Sequence, residues 1–404
     1  MDILIKIAKT ILRTIATLLL LVISAIAVTS ISPIYSFKAP EPFSGPDVFN
    51  PYRKLDTSLC WKRANFHTHT KVEGIFNECD HTPQETFDAY EKLGYDIVTF
   101  SNHNELTIHP FDTTLQVNVY EHGYNLFKYH KLVFGCTKEN RFDHLLPFLA
   151  SQRQFQMDLL GKDSDFLQLN HQLRTNFTTR SMLEKLEGYQ IMELDSGRST
   201  ENEYWDWALS AGHYSFGLAN DDLHYPDRSR NIAVRCNFLQ CESGRYEHLR
   251  EVLMEGCYYS MRVPDYGKGN WEIKYARNRN LPSIKDIGLK KDTLYIVLSQ
   301  KADSIKVTGQ DHTTLALAED ADHLSYVMAS EDPYARFTAY FPDGEVIWSN
   351  PFARYDASVA GSPIDKESSH SINLVLTILF NILLAAIAAG AVTCIYKLWN
   401  ISVR

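Results

Sequence analysis

The feature that most constrains this chain is a pair of long apolar runs, one at each end. The first starts at Met1-Asp2, carries Lys6, Lys9 and Arg13, then runs from Thr14 to Ser32 without a charge. The second runs uncharged from Ile372 to Tyr396, with Lys397 and Arg404 after it. About 18 or more uncharged, mostly apolar residues suffice to cross the hydrocarbon core of a bilayer. A buried core helix would show a polar face, whereas the second run has only scattered Ser, Thr and Asn. It is read as a transmembrane helix. The first run is read as a transmembrane helix or signal anchor, although its basic start, apolar middle and Ala25-Ile26-Ala27 also fit a cleavable signal peptide. In either case basic residues flank the cytoplasmic side of each run. The segment between them is therefore expected outside the cytoplasm, in a periplasmic, extracellular or lumenal space.

The chain as a whole has a globular composition, 45% hydrophobic and 22% charged over 404 residues, without repeats. The expected divisions are an N-terminal span (1–34), a proline-rich linker (35–60), an α/β body (61–265), a β-rich unit (270–355), a polar linker (356–371), the second span (372–396) and a cytoplasmic tail (397–404). In the body, short β-like runs such as Tyr95–Phe100, Leu132–Phe134, Phe166–Leu169, Gln190–Leu194 and Ser215–Ala219 alternate with helical ones. Helices are expected near Arg180–Glu187, Glu203–Ala211 and Tyr246–Glu255. Thr82-Pro83-Gln84-Glu85 reads as a helix start, with a capping Thr, Pro in the first turn and Glu three residues on. Strand–helix alternation predicts a parallel sheet or barrel. The β-rich unit, with its Phe341-Pro342-Asp343-Gly344-Glu345 turn, predicts an antiparallel β-sandwich.

Six of the seven cysteines (Cys60, Cys79, Cys136, Cys236, Cys241 and Cys257) fall in the exported part, where disulfides and buried thiols are both open readings. The net charge of −9 argues against a nucleic-acid polymer, which needs a basic surface. A small anionic substrate stays open, because a metal site supplies local positive charge.

The chemistry lies at the ends of the predicted strands. His67-Thr68-His69 places two imidazoles on one face of an extended segment, where both reach one ion. Ser101-Asn102-His103-Asn104 follows the Tyr95–Phe100 strand. Glu121, His130, Asn170-His171, Glu193 and Asn220-Asp221-Asp222-Leu223-His224 come next. In an α/β barrel the carboxyl ends of the strands converge on one mouth. Each motif alone occurs often by chance; their order and placement carry the reading.

That order resembles the PHP (polymerase and histidinol phosphatase) family over roughly residues 61–355. Asn65–Thr70 is similar to its HxHT opening, Glu91–Asn104 to its G-Y-D…T-D-H-N segment, and Leu169–His171 to its N-H-P strand end. Asn220–His224 is similar to its closing S-D-x-H, Gly256–Tyr259 to its G-x-x-Y, and Trp348–Phe352 to the S-N-P of members with a β-sandwich appendix. The resemblance implies a distorted (βα)7 barrel with a C-terminal antiparallel β-sandwich. It also implies two or three divalent ions (Zn, Mn or Fe) held by His67, His69, His103, Glu121, His130, His171, Asp222 and His224. Lys71-Val72-Glu73-Gly74 stands where the family has Ser-Asp-Gly, so Glu73 is the expected substitute ligand. Ser101-Asn102 replaces Thr-Asp and removes a carboxylate that would orient His103. Glu193 is either a ligand or a hydrogen-bonding support.

The implied activity is metal-dependent hydrolysis of phosphate esters, as a phosphatase or phosphodiesterase. Cations would lower the pKa of water to give a hydroxide nucleophile and would neutralise phosphoryl charge. Asp222 and His224 are the expected catalytic pair, with His224 or a water protonating the leaving group. Lys71, Arg198 and Arg228 are the expected substrate-binding residues. The expected partners are a phosphorylated small molecule, a lipid headgroup or a glycan, with the membrane held by the terminal helices. Two other readings are a metal-dependent amidohydrolase and a catalytically degenerate binding or assembly module.

Overall fold

The computed structural model describes residues 2–73, 77–174, 177–195, 202–364 and 368–400. Two long helices frame it, Asp2–Thr29 and Leu374–Asn400. Both are long and apolar enough to cross a membrane, with a mean hydropathy of 2.5. They pack side by side in opposite directions: Trp399 Nε1 donates to Thr17 Oγ1 at 2.9 Å, and Ile34 N donates to Thr377 Oγ1 at 2.9 Å. Strands Tyr35–Phe37 and His370–Ile372 pair antiparallel at the roots of the two helices.

Among the described residues the body holds two large sheets, and strand pairing closes neither into a barrel. One has five strands in the order Val119–His122, Lys131–Phe134, Phe166–Leu169, Ile191–Leu194 and Phe216–Ala219. Its first three strands are antiparallel and its last three parallel, so the expected parallel arrangement holds for only part of it. In the other sheet, Lys62–Asn65 pairs parallel with Ile97–Val98 and antiparallel with Arg235–Leu239. That sheet then continues through Tyr258–Arg262 and Val346–Ser349 into the C-terminal strands. The β-rich C-terminal unit is thus not a free-standing sandwich; backbone pairing joins it edge to edge with the body.

Several local expectations are met. Thr82 caps the helix Pro83–Glu91: its Oγ1 accepts from Glu85 N at 3.2 Å, and its own N donates to Glu85 Oε2 at 2.8 Å. Helix Tyr246–Glu255 ends on Gly256 at φ +84°, where an added Cβ would come within 2.2 Å of Phe216, so the turn demands glycine. Residues 35–60, expected to be a linker, instead contribute strand Asp47–Phe49, which pairs with Phe352–Tyr355, and the buried Tyr52. All seven cysteines are free.

Candidate metal centre

Where the two sheets meet, isolated parallel bridges continue them: Thr68 with Leu223, and His103 with Glu121. His69 N donates to Leu223 O at 2.8 Å, Ser101 N to Thr68 O at 2.8 Å, and Asn104 N to Glu121 O at 2.8 Å. Four strand ends are thereby laced together, and their side chains face one space. Asp221 sets the last of them. Its buried carboxylate accepts from the backbone of Ala233, Val234 and Arg235 and from Tyr90 Oη at 2.9 Å. The next residue, Asp222, sits at φ +49°, and His171 at φ +29°, both in the left-handed region that non-glycine residues rarely adopt. Local strain at these two positions turns their side chains toward the mouth.

Glu121 is the hub. Its Oε2 lies 3.2 Å from Nε2 of each of His67, His69 and His103. Its Oε1 lies 3.1 Å from His130 Nδ1 and 3.0 Å from His171 Nε2, and accepts from Asn170 Nδ2 at 2.9 Å. Asp222 Oδ1 lies 3.2 Å from Nε2 of both His67 and His69. Among the described residues three overlapping groups have donor atoms close enough to hold an ion: His67, His69, Glu121 and Asp222; His69, Glu78 and His103; and His103, Glu121 and His130. Glu78 Oε2 also lies 3.0 Å from His224 Nε2.

The donor set fits divalent cations. Ligands at about 2.0–2.1 Å from a tetrahedral ion stand about 3.3 Å apart, close to the separations found here. The buried His67 Nε2 has no hydrogen-bond partner, and neither do Nδ1 of His103 and of His171. Buried polar atoms are ordinarily satisfied. His67 Nδ1 donates to Glu193 Oε1 at 2.9 Å, which leaves Nε2 as a lone-pair donor facing the mouth. His224 does the same through Nδ1 and the Asp222 carbonyl at 2.8 Å. Glu193 therefore acts as a support, also accepting from His171 N at 2.9 Å. The partnerless His103 Nδ1 agrees with the loss of a carboxylate at Asn102, whose side chain is engaged with Thr70 and Thr107.

Electrostatics describe a site crowded with charge. Burial opposes ionisation of Glu121, yet His103, His67 and His130 hold its carboxyl well below the usual range. Asp222 behaves alike, with burial overridden by His67 and His69. Burial also opposes charge on His67, but Glu121, Asp222 and Glu193 lift it well above its ordinary value. His69 is lowered by burial and by His224, and His130 is pulled by burial to about 4. His69 and His130 are thus held neutral, the state that coordinates a metal, whereas His67, His103 and His224 are raised by the facing carboxylates and would release a proton when an ion binds.

One expected ligand is displaced. Glu73 is exposed and outside these groups. Glu78, five residues on, brings the acidic side chain of this loop to His103 and His224. The loop folds back on itself, with Lys71 N donating to His81 O at 2.7 Å, and strand spacing says nothing about which glutamate such a loop presents. Of the expected substrate residues, Lys71 is exposed and outside the groove, Arg228 stacks on Tyr225 at the groove's edge with its charge 3.8 Å from the ring centre, and Arg198 lies outside the described residues. The groove beside the cluster, about 770 Å³, is lined instead by Arg174, Arg230 and Arg262 together with Glu78, Asp222 and His224. Arg174 Nη1 pairs with Asp222 Oδ2. Sequence reasoning missed Arg174 because it sits in a short turn after His171 and not at a strand end.

No protein-family model matches the chain, and no curated protein does. Two solved structures are similar to it. A two-domain protein from Bacteroides vulgatus ATCC 8482, described as containing a predicted PHP-like metal-dependent phosphoesterase, is 14% identical at a TM-score of 0.38, over 78% of this chain and 100% of that one. The lesion-specific endonuclease PfuEndoQ from Pyrococcus furiosus is 14% identical at a TM-score of 0.34, over 48% of this chain and 56% of that one. At these scores the site's own geometry carries the reading. The groove corrects one expectation. A net charge of −9 does not exclude a nucleic-acid partner, nor narrow the partner to a small molecule, lipid headgroup or glycan, because an arginine-lined groove and a metal site set the local field whatever the total. In its motif order the chain resembles the PHP family, and one of the two structures it matches is described in those terms.

Proposed function

We propose that this chain is a metal-dependent phosphoesterase whose body, residues 61–265, works on the extracytoplasmic side of a membrane held by the helices at either end. One observation carries the reading: Glu121 presents its two oxygens to two different sets of imidazoles, the arrangement of a carboxylate bridging neighbouring cations. We assign the ligands as His67, His69, Glu78, His103, Glu121, His130, His171, Asp222 and His224. Divalent ions bound there supply Lewis acidity toward phosphoryl oxygens and lower the pKa of water.

The chain's own residues do the rest. Glu193 fixes the His67 ring, and Arg174 steadies Asp222 at the groove. His224 Nε2, beside Glu78, is committed to an ion, so the proton for the leaving group would come from water in the groove. Arg230 and Arg262 at the rim offer charge to the ester's phosphate, and Arg262 is oriented by Asp195 at 3.0 Å. Monoester and diester both remain substrates of this chemistry.

The test is ion content of the detergent-purified full chain, measured beside hydrolysis of p-nitrophenyl phosphate and bis(p-nitrophenyl) phosphate. Asp222→Ala and His224→Ala are expected to lose activity, and ions with it. Activity that survives either change rejects the assigned site. Less than one ion per chain with no turnover of either ester establishes a degenerate module instead.

A further inference from the structure

We infer that the body itself rests on the lipid surface through an apolar patch built from Leu126, Phe127, Phe148, Leu149 and Phe177. The inference rests on the membrane reading above and goes beyond it, since the anchoring helices alone leave the body free to stand off the bilayer.

The patch is exposed where a soluble surface would be polar: Leu126 is 66% exposed, Phe148 52% and Phe177 47%. It is also a constructed surface. Phe127 stacks on Phe177 at 4.1 Å between ring centres and meets Phe148 edge-on at 5.0 Å. The buried Arg153 ties the two outer loops together, donating to Pro147 O at 3.1 Å and to Phe177 O at 2.9 Å. Leu126 N donates to Leu145 O at 3.2 Å, which joins the third loop.

Continuity with the first helix identifies what covers the patch. The loop that carries Phe148 and Leu149 grips the end of helix Asp2–Thr29. His144 Nδ1 pairs with Thr29 O, Leu145 N donates to Thr29 Oγ1 at 3.4 Å, and Gln152 Nε2 to Ser30 O at 3.4 Å. The level of that grip relative to lipid follows from helix geometry. About 20 residues of helix at ~1.5 Å each cross the ~30 Å hydrocarbon core. Counted back from Lys397, that length reaches Thr377, which is bonded to Ile34. Ser32 N donates to Asn381 Oδ1 one turn further in, and Thr29 and Ser30 precede Ser32, so the loop gripping them stands at the edge of the hydrocarbon core, just beneath the lipid headgroups. Aromatic and aliphatic side chains held there match the interfacial belts of membrane proteins. Exposed Lys128 and Arg141, next to the patch in sequence, suit anionic headgroups.

The loops involved also carry the site. Leu126 and Phe127 lie between Glu121 and His130, and Phe177 follows His171 by six residues. Docking would therefore bring the mouth of the metal centre close to the bilayer surface.

The experiment places nitroxide labels on the full chain reconstituted into vesicles of phosphatidylcholine and phosphatidylglycerol, with the exposed Cys60 and Cys394 changed to serine. Labels go in through Phe148→Cys and Leu126→Cys, with Ile382→Cys as the lipid reference and Val327→Cys as the water reference. Collision with oxygen is compared with collision with a water-soluble nickel chelate. The expected result is oxygen preference at 148 and 126, as at 382, and nickel preference at 327. Nickel preference at 148 and 126 overturns docking, and shielding of both from both reagents overturns it in favour of a protein contact such as a second copy. Loss of oxygen preference at 382 as well removes the membrane reading itself, while ion content and ester hydrolysis report separately on the metal centre.

Discussion

The candidate metal centre has an inner and an outer half, and they are built differently. In the inner group, His67, His69 and Glu121 have side chains no more than 2% exposed and Asp222 8%. In the outer group Glu78 is 48% exposed, His224 18% and His103 12%. The inner donors are fixed before any ion arrives, His67 by Glu193 and Asp222 by the loop that Asp221 pins. Sites whose protein ligands close around the ion hold it firmly, whereas a catalytic site keeps a position open for water or substrate. The contrast teaches how one centre could divide the work, with a buried half that would anchor an ion and a half at the groove that would expose one. Each prediction below is a way to break that division or to sharpen it.

The largest effect is expected from Glu121→Gln, which removes the charge of the hub carboxylate that reaches imidazoles of both halves. It should lower phosphate-ester hydrolysis by far more than the roughly 10–100-fold typical of outer-shell changes and strip most bound metal. Steady-state kinetics with elemental analysis checks this. Retention of the full ion complement would show that Glu121 does not bridge.

Glu193→Gln comes next. It keeps the shape of the side chain but removes the negative charge that holds the His67 tautomer. A loss of about 10–100-fold in metal affinity or activity is expected, read by titrating the apo-protein with metal. An unchanged affinity would mean that burial alone orients His67.

Much of this was legible in the sequence. HxH at a strand end, the carboxylate–imidazole pair at Asp222 and His224, and the capping sequence at Thr82 all depend on neighbours within a few residues. What was not legible depends on distant pairing. Val346–Ser349 adds to Tyr258–Arg262 in a single sheet, and nothing in either strand's own pattern names the other. The division of the strands into two sheets joined only by isolated bridges is hidden for the same reason, since it is a property of sheet edges and not of strand order. Glu73 and Glu78 show the limit at short range: both lie in an irregular loop with no period to place its side chains.

A smaller and purely structural effect is expected from Thr82→Ala. The capping box satisfies backbone donors at the start of helix Pro83–Glu91, and its loss should cost about 1 kcal/mol, seen as a lower denaturation midpoint. Ion content should be unchanged, because the helix packs on the site through Tyr90 and Asp221 without supplying a ligand.

The finest test sets the two loop glutamates against each other. Glu78→Gln should release only the ion of the outer half, lowering turnover while the inner ion stays, because the inner group has four donors of its own. Glu73→Gln, on an exposed side chain outside every donor group, should change neither ion content nor turnover. If the two variants exchanged roles, the loop would hold its carboxylate differently once metal is bound. The outer half would then be assembled by the ion, and the contrast with the preformed inner half would be greater still.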